Sequence, residues 1–170
     1  MILGHVFFAR KAPVVARMLL GAYLVHRHSG RVRRYKIIET EAYDGFHDRA
    51  SHASRGKTPR TEVMFGKAGH WYVYLVYGMH EMLNIVCGAT GYPSAVLIRG
   101  VAGISGPARL TKALNITRAL NKKPASKASG LWVERGVRVP DSKILRTARV
   151  GVSYAGEKWA NMEWRFVLKE

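Results

Sequence analysis

An α+β fold is what this sequence predicts: a single mixed domain over residues 1–170, with a central antiparallel or mixed sheet and a few short helices. Three observations carry the prediction. Most apolar runs are short and alternate with period two, helical spacing appears in only two brief segments, and Gly-containing turns separate neighbouring runs. With 48% hydrophobic residues in 170, the chain buries one real core and is short for two.

Taken in order, "KAPVVARMLLG" reads as a helix, with Pro13 in its first turn and Gly21 past its end. "AYLVHRHSGRVRRYKIIETEAY" reads as a hairpin turning at Ser29 and Gly30. On its second strand, alternation places Ile37, Glu39, Glu41 and Tyr43 on one face and Ile38, Thr40 and Ala42 on the other. The stretch from Asp44 to His70 is a polar, Gly-containing connection of the kind that carries function. "WYVYLVYGMHEMLNIVC" is a second hairpin turning near Tyr77, Gly78, Met79 and His80, with Trp71, Val73 and Leu75 facing away from Tyr72, Tyr74 and Val76. "SAVLIRGV" is a strand, and "SGPARLTKALNIT" is a helix with Ser105 as its cap and Pro107 at its start. "LWVERGVRV", "ARVGVSY" and "EWRFVLK" complete the list as short strands.

The charge is unusual. There are 28 Lys and Arg against 11 Asp and Glu, a formal net charge of +17, which calls for a polyanionic partner such as DNA or RNA. No apolar run reaches the roughly 18 residues of a spanning helix, and the start lacks a signal-peptide pattern, so an intracellular location is expected. Cys87 stands alone, which excludes disulfides within the chain, zinc ribbons and iron–sulfur clusters.

Against this charge, Glu39, Glu41, Asp44 and Asp48 fall within ten positions. Two acids on one strand face beside a polar loop suit a general base at the floor of a cleft, or structural partners of nearby Arg and Lys; both readings stand on composition. His47, Asp48 and His52 with Glu41 offer ligands for a divalent ion and hence a nuclease, but their spacing matches no metal motif. Tyr77 precedes Gly78 at a hairpin tip, where core packing is hard to arrange. An exposed aromatic tip on a basic protein is what a minor-groove wedge needs, filling the gap left by an extruded nucleotide; a Tyr folded back on its own hairpin is the alternative. Lys and Arg such as Arg55, Lys57, Arg60, Lys112, Lys122 and Lys123 would meet phosphates or simply be solvated.

"IIETEAY", "SHASRGKTPR" with His52, "MF" at 64 and 65, "YVYLVYGMHEMLN", "GPARLTKAL", "LWVERG" and "ARVGVSYAGE" together resemble the alkyladenine (3-methyladenine) DNA glycosylase family, in order from about residue 7 onward. The resemblance implies a monofunctional base-excision repair enzyme, a single mixed α/β domain without metal or cofactor, acting as a monomer on double-stranded DNA. Its substrates would be damaged purines: 3-methyladenine, 7-methylguanine, hypoxanthine or ethenoadenine. Carried over by position, Glu41 is the catalytic carboxylate and Arg99 lies beside it near the DNA. Tyr43, His52 and Tyr74 line the base pocket, Asn84 crowds the exocyclic amine of normal guanine, and Tyr77 intercalates. Tyr72 supports His52, and Met79 and His80 flank the inserting tip. The location implied is the cytoplasm and nucleoid of a prokaryote or the nucleus of a eukaryote. Two departures accompany the resemblance: only "GVAGIS" joins Arg99 to Gly106, where many relatives carry a longer helical segment, and His80 stands where some have an aromatic.

Overall fold

A computed structural model of the chain describes residues 1–169. Its helices are α1 (His5–Phe8), α2 (Ala12–Leu19), α3 (Pro107–Leu114) and α4 (Glu157–Ala160); its strands are β1 (Tyr23–His28), β2 (Arg31–Asp44), β3 (Trp71–Val76), β4 (His80–Val86), β5 (Ser94–Val101), β6 (Ile104–Ser105), β7 (Leu131–Glu134), β8 (Ile144–Thr147) and β9 (Arg165–Leu168). All nine strands among the described residues join one sheet in the order β3-β4-β5-β2-β1-β7, with β6 on β5 and the β8–β9 pair on β2. Every pairing of these strands is antiparallel. The α+β prediction therefore holds. No helix among the described residues is long and apolar enough to cross a membrane.

The main core forms where α2 and α3 cover one face of the sheet. On α2, Ala12, Val15, Ala16 and Leu19 are buried at helical spacing, and the Thr40 hydroxyl donates to the Ala16 carbonyl at 2.9 Å, tying α2 to β2. Trp71, Val73, Leu83, Ile85, Val96, Ile98, Leu110 and Leu114 complete the packing. A smaller cluster on the opposite face includes Tyr72, Tyr74, Met64 and Ala95. The β3 alternation read from the sequence thus divides Trp71 and Val73 from Tyr72 and Tyr74.

Three expectations are corrected. The simple alternation on β2 breaks at a bulge, where the register to β5 shifts between Ile37 and Glu39 and again between Glu39 and Thr40. An extra residue reverses side-chain parity. Ile37 therefore joins Ala42 in the main core, while Glu39, Glu41 and Tyr43 serve the other face. Ser105 does not cap α3: it pairs in β6, and the cap position is Gly106 at φ 96°, a left-handed conformation that favours glycine. "ARVGVSY" is not a strand; β8 ends at Thr147, and the segment becomes a loop leading into a 3-10 turn at Ser153–Ala155.

Candidate active site

β2 carries Glu41 into the middle of the sheet, between Leu97 of β5 and Arg165 of β9. The side chain is fully buried. Its Oε2 accepts from the Tyr43 hydroxyl at 2.8 Å and its Oε1 from the Val150 backbone N–H at 2.7 Å, with Arg99 Nη1 3.5 Å away. Burial raises the Glu41 pKa above the ordinary carboxylate value, and the Arg99 charge, the Val150 N–H and the Tyr43 hydroxyl restrain the rise. Folding thus opposes this charge. The stability it removes is lost as pH rises from the ordinary value through the raised one.

Glu39 behaves oppositely. Burial works against its charge, but Arg99 Nε at 2.8 Å and Arg165 Nε at 2.7 Å both donate to its Oε1 and hold its pKa below the usual range. Arg99 thereby bridges the two acids, anchored by Glu39 and directed at Glu41. Asp44 and Asp48 shape the following loop. Asp44 accepts from the Ala12 N–H and the Tyr92 hydroxyl, while Asp48 accepts from the backbone N–H groups of Asp44 and Ala50. Asp48 is also the bidentate partner of a buried Arg149, at 2.6 and 2.9 Å. The Arg149 guanidinium lies 4.9 Å from the Tyr43 ring centroid and 5.2 Å from that of Trp164, and it precedes Val150.

Glu41 forms the floor of a cavity of about 520 Å³. Its walls include Tyr43, His52, Tyr72, Tyr74, Asn84 and Arg99, and Tyr77 stands at its rim. His52 is held in a 3-10 turn, His52–Arg55, whose preceding residue Ser51 accepts the Ala53 N–H. Its ring meets Tyr74 edge-on with centroids 4.7 Å apart, and its Nδ1 is 3.3 Å from the Tyr72 hydroxyl. Burial, with the Arg60 charge second, pushes its pKa down to about 4. The Tyr72 hydroxyl is pushed up to about 12, mainly by burial. Asn84 donates its amide N–H groups to the carbonyls of Tyr72 and Met82, which fixes how the side chain meets the cavity.

A neutral His52 has a measurable consequence. Unfolded, the imidazole takes up a proton near pH 6.5; folded, it refuses one until about pH 4. Its contribution to stability is present above pH 6.5 and lost as pH falls through that window. Urea midpoints measured between pH 4 and 7 are expected to fall on acidification, and His52→Gln should flatten the profile. An unchanged slope in the variant would place the titration elsewhere.

The β3–β4 hairpin closes with Tyr77 at φ 52° and Gly78 at φ 67°, and the Met79 N–H donates to the Val76 carbonyl at 3.1 Å. Two left-handed residues in succession match the right-handed twist of a hairpin, and Gly78 takes its place without strain. Tyr77 does not, and it is 88% exposed; Met79 is 70% exposed and His80 is exposed beside it.

The structure therefore brings Glu41, Arg99, Tyr43, His52, Tyr74, Asn84 and Tyr72 around one cavity, with Tyr77 at its edge and Met79 and His80 on the projecting tip. Sequence reasoning missed Arg149, Val150 and Arg165 as parts of the site. The stretch "ARVGVSYAGE" carried the resemblance but no role. From sequence, Arg60 reads as a phosphate contact or a solvated charge. It also forms part of the wall, its guanidinium 4.9 Å from the Tyr74 ring centroid.

A buried carboxylate beneath an aromatic cavity, with an exposed aromatic hairpin tip on a strongly basic surface, defines a pocket enzyme built to work on a polyanion. A profile of the family described as "Methylpurine-DNA glycosylase (MPG)" matches residues 6–105 and 102–170. A Myxococcus xanthus protein named "Putative 3-methyladenine DNA glycosylase" is 49% identical over 173 residues, covering 96% of this chain and 88% of its own. Proteins of the same name from Anaeromyxobacter dehalogenans (44%, covering 98% of this chain and 82% of theirs) and Methanocella arvoryzae (45%, covering 99% and 92%) are similar throughout. The chain belongs to the methylpurine-DNA glycosylase family. The two matched segments meet at residues 102–105, the short connection between β5 and α3.

Proposed function

We propose that this protein is a monofunctional DNA glycosylase of base-excision repair. It flips damaged purines out of duplex DNA and hydrolyses the N-glycosidic bond with a water activated by Glu41. The observation that carries the proposal is Glu41 itself, buried, holding two hydrogen bonds and an ion pair to Arg99 at the floor of an aromatic cavity.

A stacked base is out of reach, so the nucleotide must leave the helix at a cost of a few kcal/mol, least for a weakened pair. Tyr77 enters the gap, and the extruded base stacks among Tyr43, His52 and Tyr74. As the C1′–N9 bond breaks, its electron pair leaves with the purine and the sugar gains oxocarbenium character. Ionised Glu41 stabilises that cation and takes a proton from the water that attacks C1′. Alkylation at N3 or N7 lets the purine leave neutral without further protonation. The neutral His52 ring adds no charge against such a cationic base. Asn84, its amide fixed by two carbonyls, stands to crowd the exocyclic amine of guanine. The absence of Lys from the cavity lining among the described residues supports a reaction without a Schiff base to the sugar and without strand cleavage.

The test is base release from duplexes carrying hypoxanthine or ethenoadenine and from methylated DNA. Breaks appearing only after alkali support the proposal; tight binding without release would make the protein a damage binder. Tyr77→Gly supplies a second test. It relieves a left-handed Tyr, so stability should rise or stay within about 1 kcal/mol. Release should fall roughly ten- to a hundredfold, the size of one to two lost stacking contributions. Wild-type activity in the variant would remove Tyr77 from the flipping step.

A further inference from the structure

The loop that carries Arg60 holds it in place. The Thr58 N–H donates to the Thr61 hydroxyl oxygen at 2.9 Å, and the Thr61 N–H donates back to the Thr58 hydroxyl oxygen at 3.2 Å. Thr61 is buried, and its hydroxyl donates to the Gly56 carbonyl at 3.1 Å. These reciprocal bonds fix the backbone on both sides of Arg60. The side chain then crosses to β3. Its Nη2 donates to the Leu75 carbonyl at 3.2 Å, and its guanidinium carbon lies 4.9 Å from the Tyr74 ring centroid.

Arg60 is the unbalanced charge of the catalytic cavity. Among the described residues, the Asp, Glu, Lys and Arg side chains that line it are Glu41, Arg60 and Arg99. Glu39 and Glu41 are matched by Arg99 and Arg165, and Asp48 is matched by Arg149. Arg60 has no ion-pair partner among the described residues, and its hydrogen bond goes to an uncharged carbonyl. A guanidinium does not shed its proton in the working range, so the charge is permanent.

The walls of the cavity register that charge. The His52 ring meets Tyr74 edge-on at 4.7 Å, and burial first, then the Arg60 charge, disfavours a proton on it. Burial raises the Tyr72 and Tyr74 hydroxyls, and the Arg60 charge works against the rise. A purine stacked among Tyr43, His52 and Tyr74 sits in the same field. A charge that opposes a proton on His52 also opposes a positive charge on the base beside it.

We propose that Arg60 is a specificity-determining residue: it disfavours cationic purines, such as those methylated at N7, and turns the cavity toward uncharged lesions such as hypoxanthine and ethenoadenine. The inference rests on the glycosylase reading. Glu41 attracts a cationic base, but its charge is shared with Arg99, whereas no carboxylate offsets Arg60. Arg60 is exposed, so water screens it, and the discrimination expected is roughly three- to tenfold.

The test compares release of 7-methylguanine and of hypoxanthine from otherwise identical duplexes at fixed salt and near neutral pH. Enzyme is in excess but below saturation, so the rate reads kcat/KM, and spontaneous depurination is subtracted. Arg60→Gln should raise the ratio of 7-methylguanine to hypoxanthine release roughly three- to tenfold over wild type. Arg60→Lys, which keeps the charge, should leave the ratio near the wild-type value. In the free protein, the His52 titration followed by NMR should move upward in Arg60→Gln and stay in place in Arg60→Lys.

An equal change on both lesions, or none, would make Arg60 a backbone-phosphate contact or a prop of the wall and overturn the proposal. The same shift in ratio with Arg60→Lys would assign the effect to shape and overturn it too. So would a His52 titration alike in all three proteins, or a wild type that releases 7-methylguanine but no hypoxanthine. Release of neither base by wild type would instead overturn the glycosylase reading.

Discussion

Glu41→Gln is expected to abolish base release while leaving DNA binding intact or tighter. Gln keeps the shape, with its Oε1 accepting from the Val150 N–H and its amide N–H turned to the Tyr43 hydroxyl, which then accepts, but it neither takes a proton nor offers a charge to the sugar cation. General-base assistance alone is worth about 10²–10⁴-fold, and the lost electrostatic contribution adds to it. The pH dependence follows from the raised pKa: the acid limb of kcat/KM should lie above the ordinary carboxylate value, because the base must be ionised to act. Single-turnover release from a hypoxanthine duplex, with parallel Kd measurements, reads both. Substantial activity in the variant would move the base to another residue.

The largest stability effect is expected at the Asp48–Arg149 pair. Both side chains are wholly buried, and Asp48 additionally holds two backbone N–H groups of its loop. Removing one partner strands a charge in the interior, at about 3–5 kcal/mol. Arg149→Met should therefore lower the urea midpoint sharply, and Asp48→Asn should do likewise. The double variant should cost less than the sum, since no charge is stranded. Arg149 also packs against Tyr43 and sets the position of the Val150 N–H on Glu41. Base release by the remaining folded protein should thus fall as well. Additive effects in the double variant would show that the two residues act separately.

Much of this site was legible early through the family resemblance, whose motifs lie on short local patterns. Glu41 and Tyr43 are two residues apart on one strand, and Tyr72, Tyr74 and Tyr77 fall on one hairpin whose turn is marked by Gly78. Period-two alternation placed the aromatics of β3 without help from any distant residue. The same rule failed on β2. A bulge is set by what the strand pairs with, so the parity change between Ile37 and Glu39 has no signature in β2 alone. Ser105 illustrates a local preference overridden in the same way: pairing with Gly100 in β6 took the residue that its chemistry nominated as a cap.

By itself, the sequence determined the α+β class, the two hairpins and the basic surface that calls for a polyanion, and its resemblance to a family nominated the carboxylate and aromatics of the cavity. Tertiary structure alone decided how those carboxylates differ. Arg99, Arg149, Val150 and Arg165 come from strands and loops some 60 to 125 positions away and reach Glu39, Glu41 and Asp48 only when the sheet closes. Burial and partners set a carboxyl's pKa, and both are properties of the assembled fold. That is why Glu39 is pulled down and Glu41, two residues along the same strand, is pushed up.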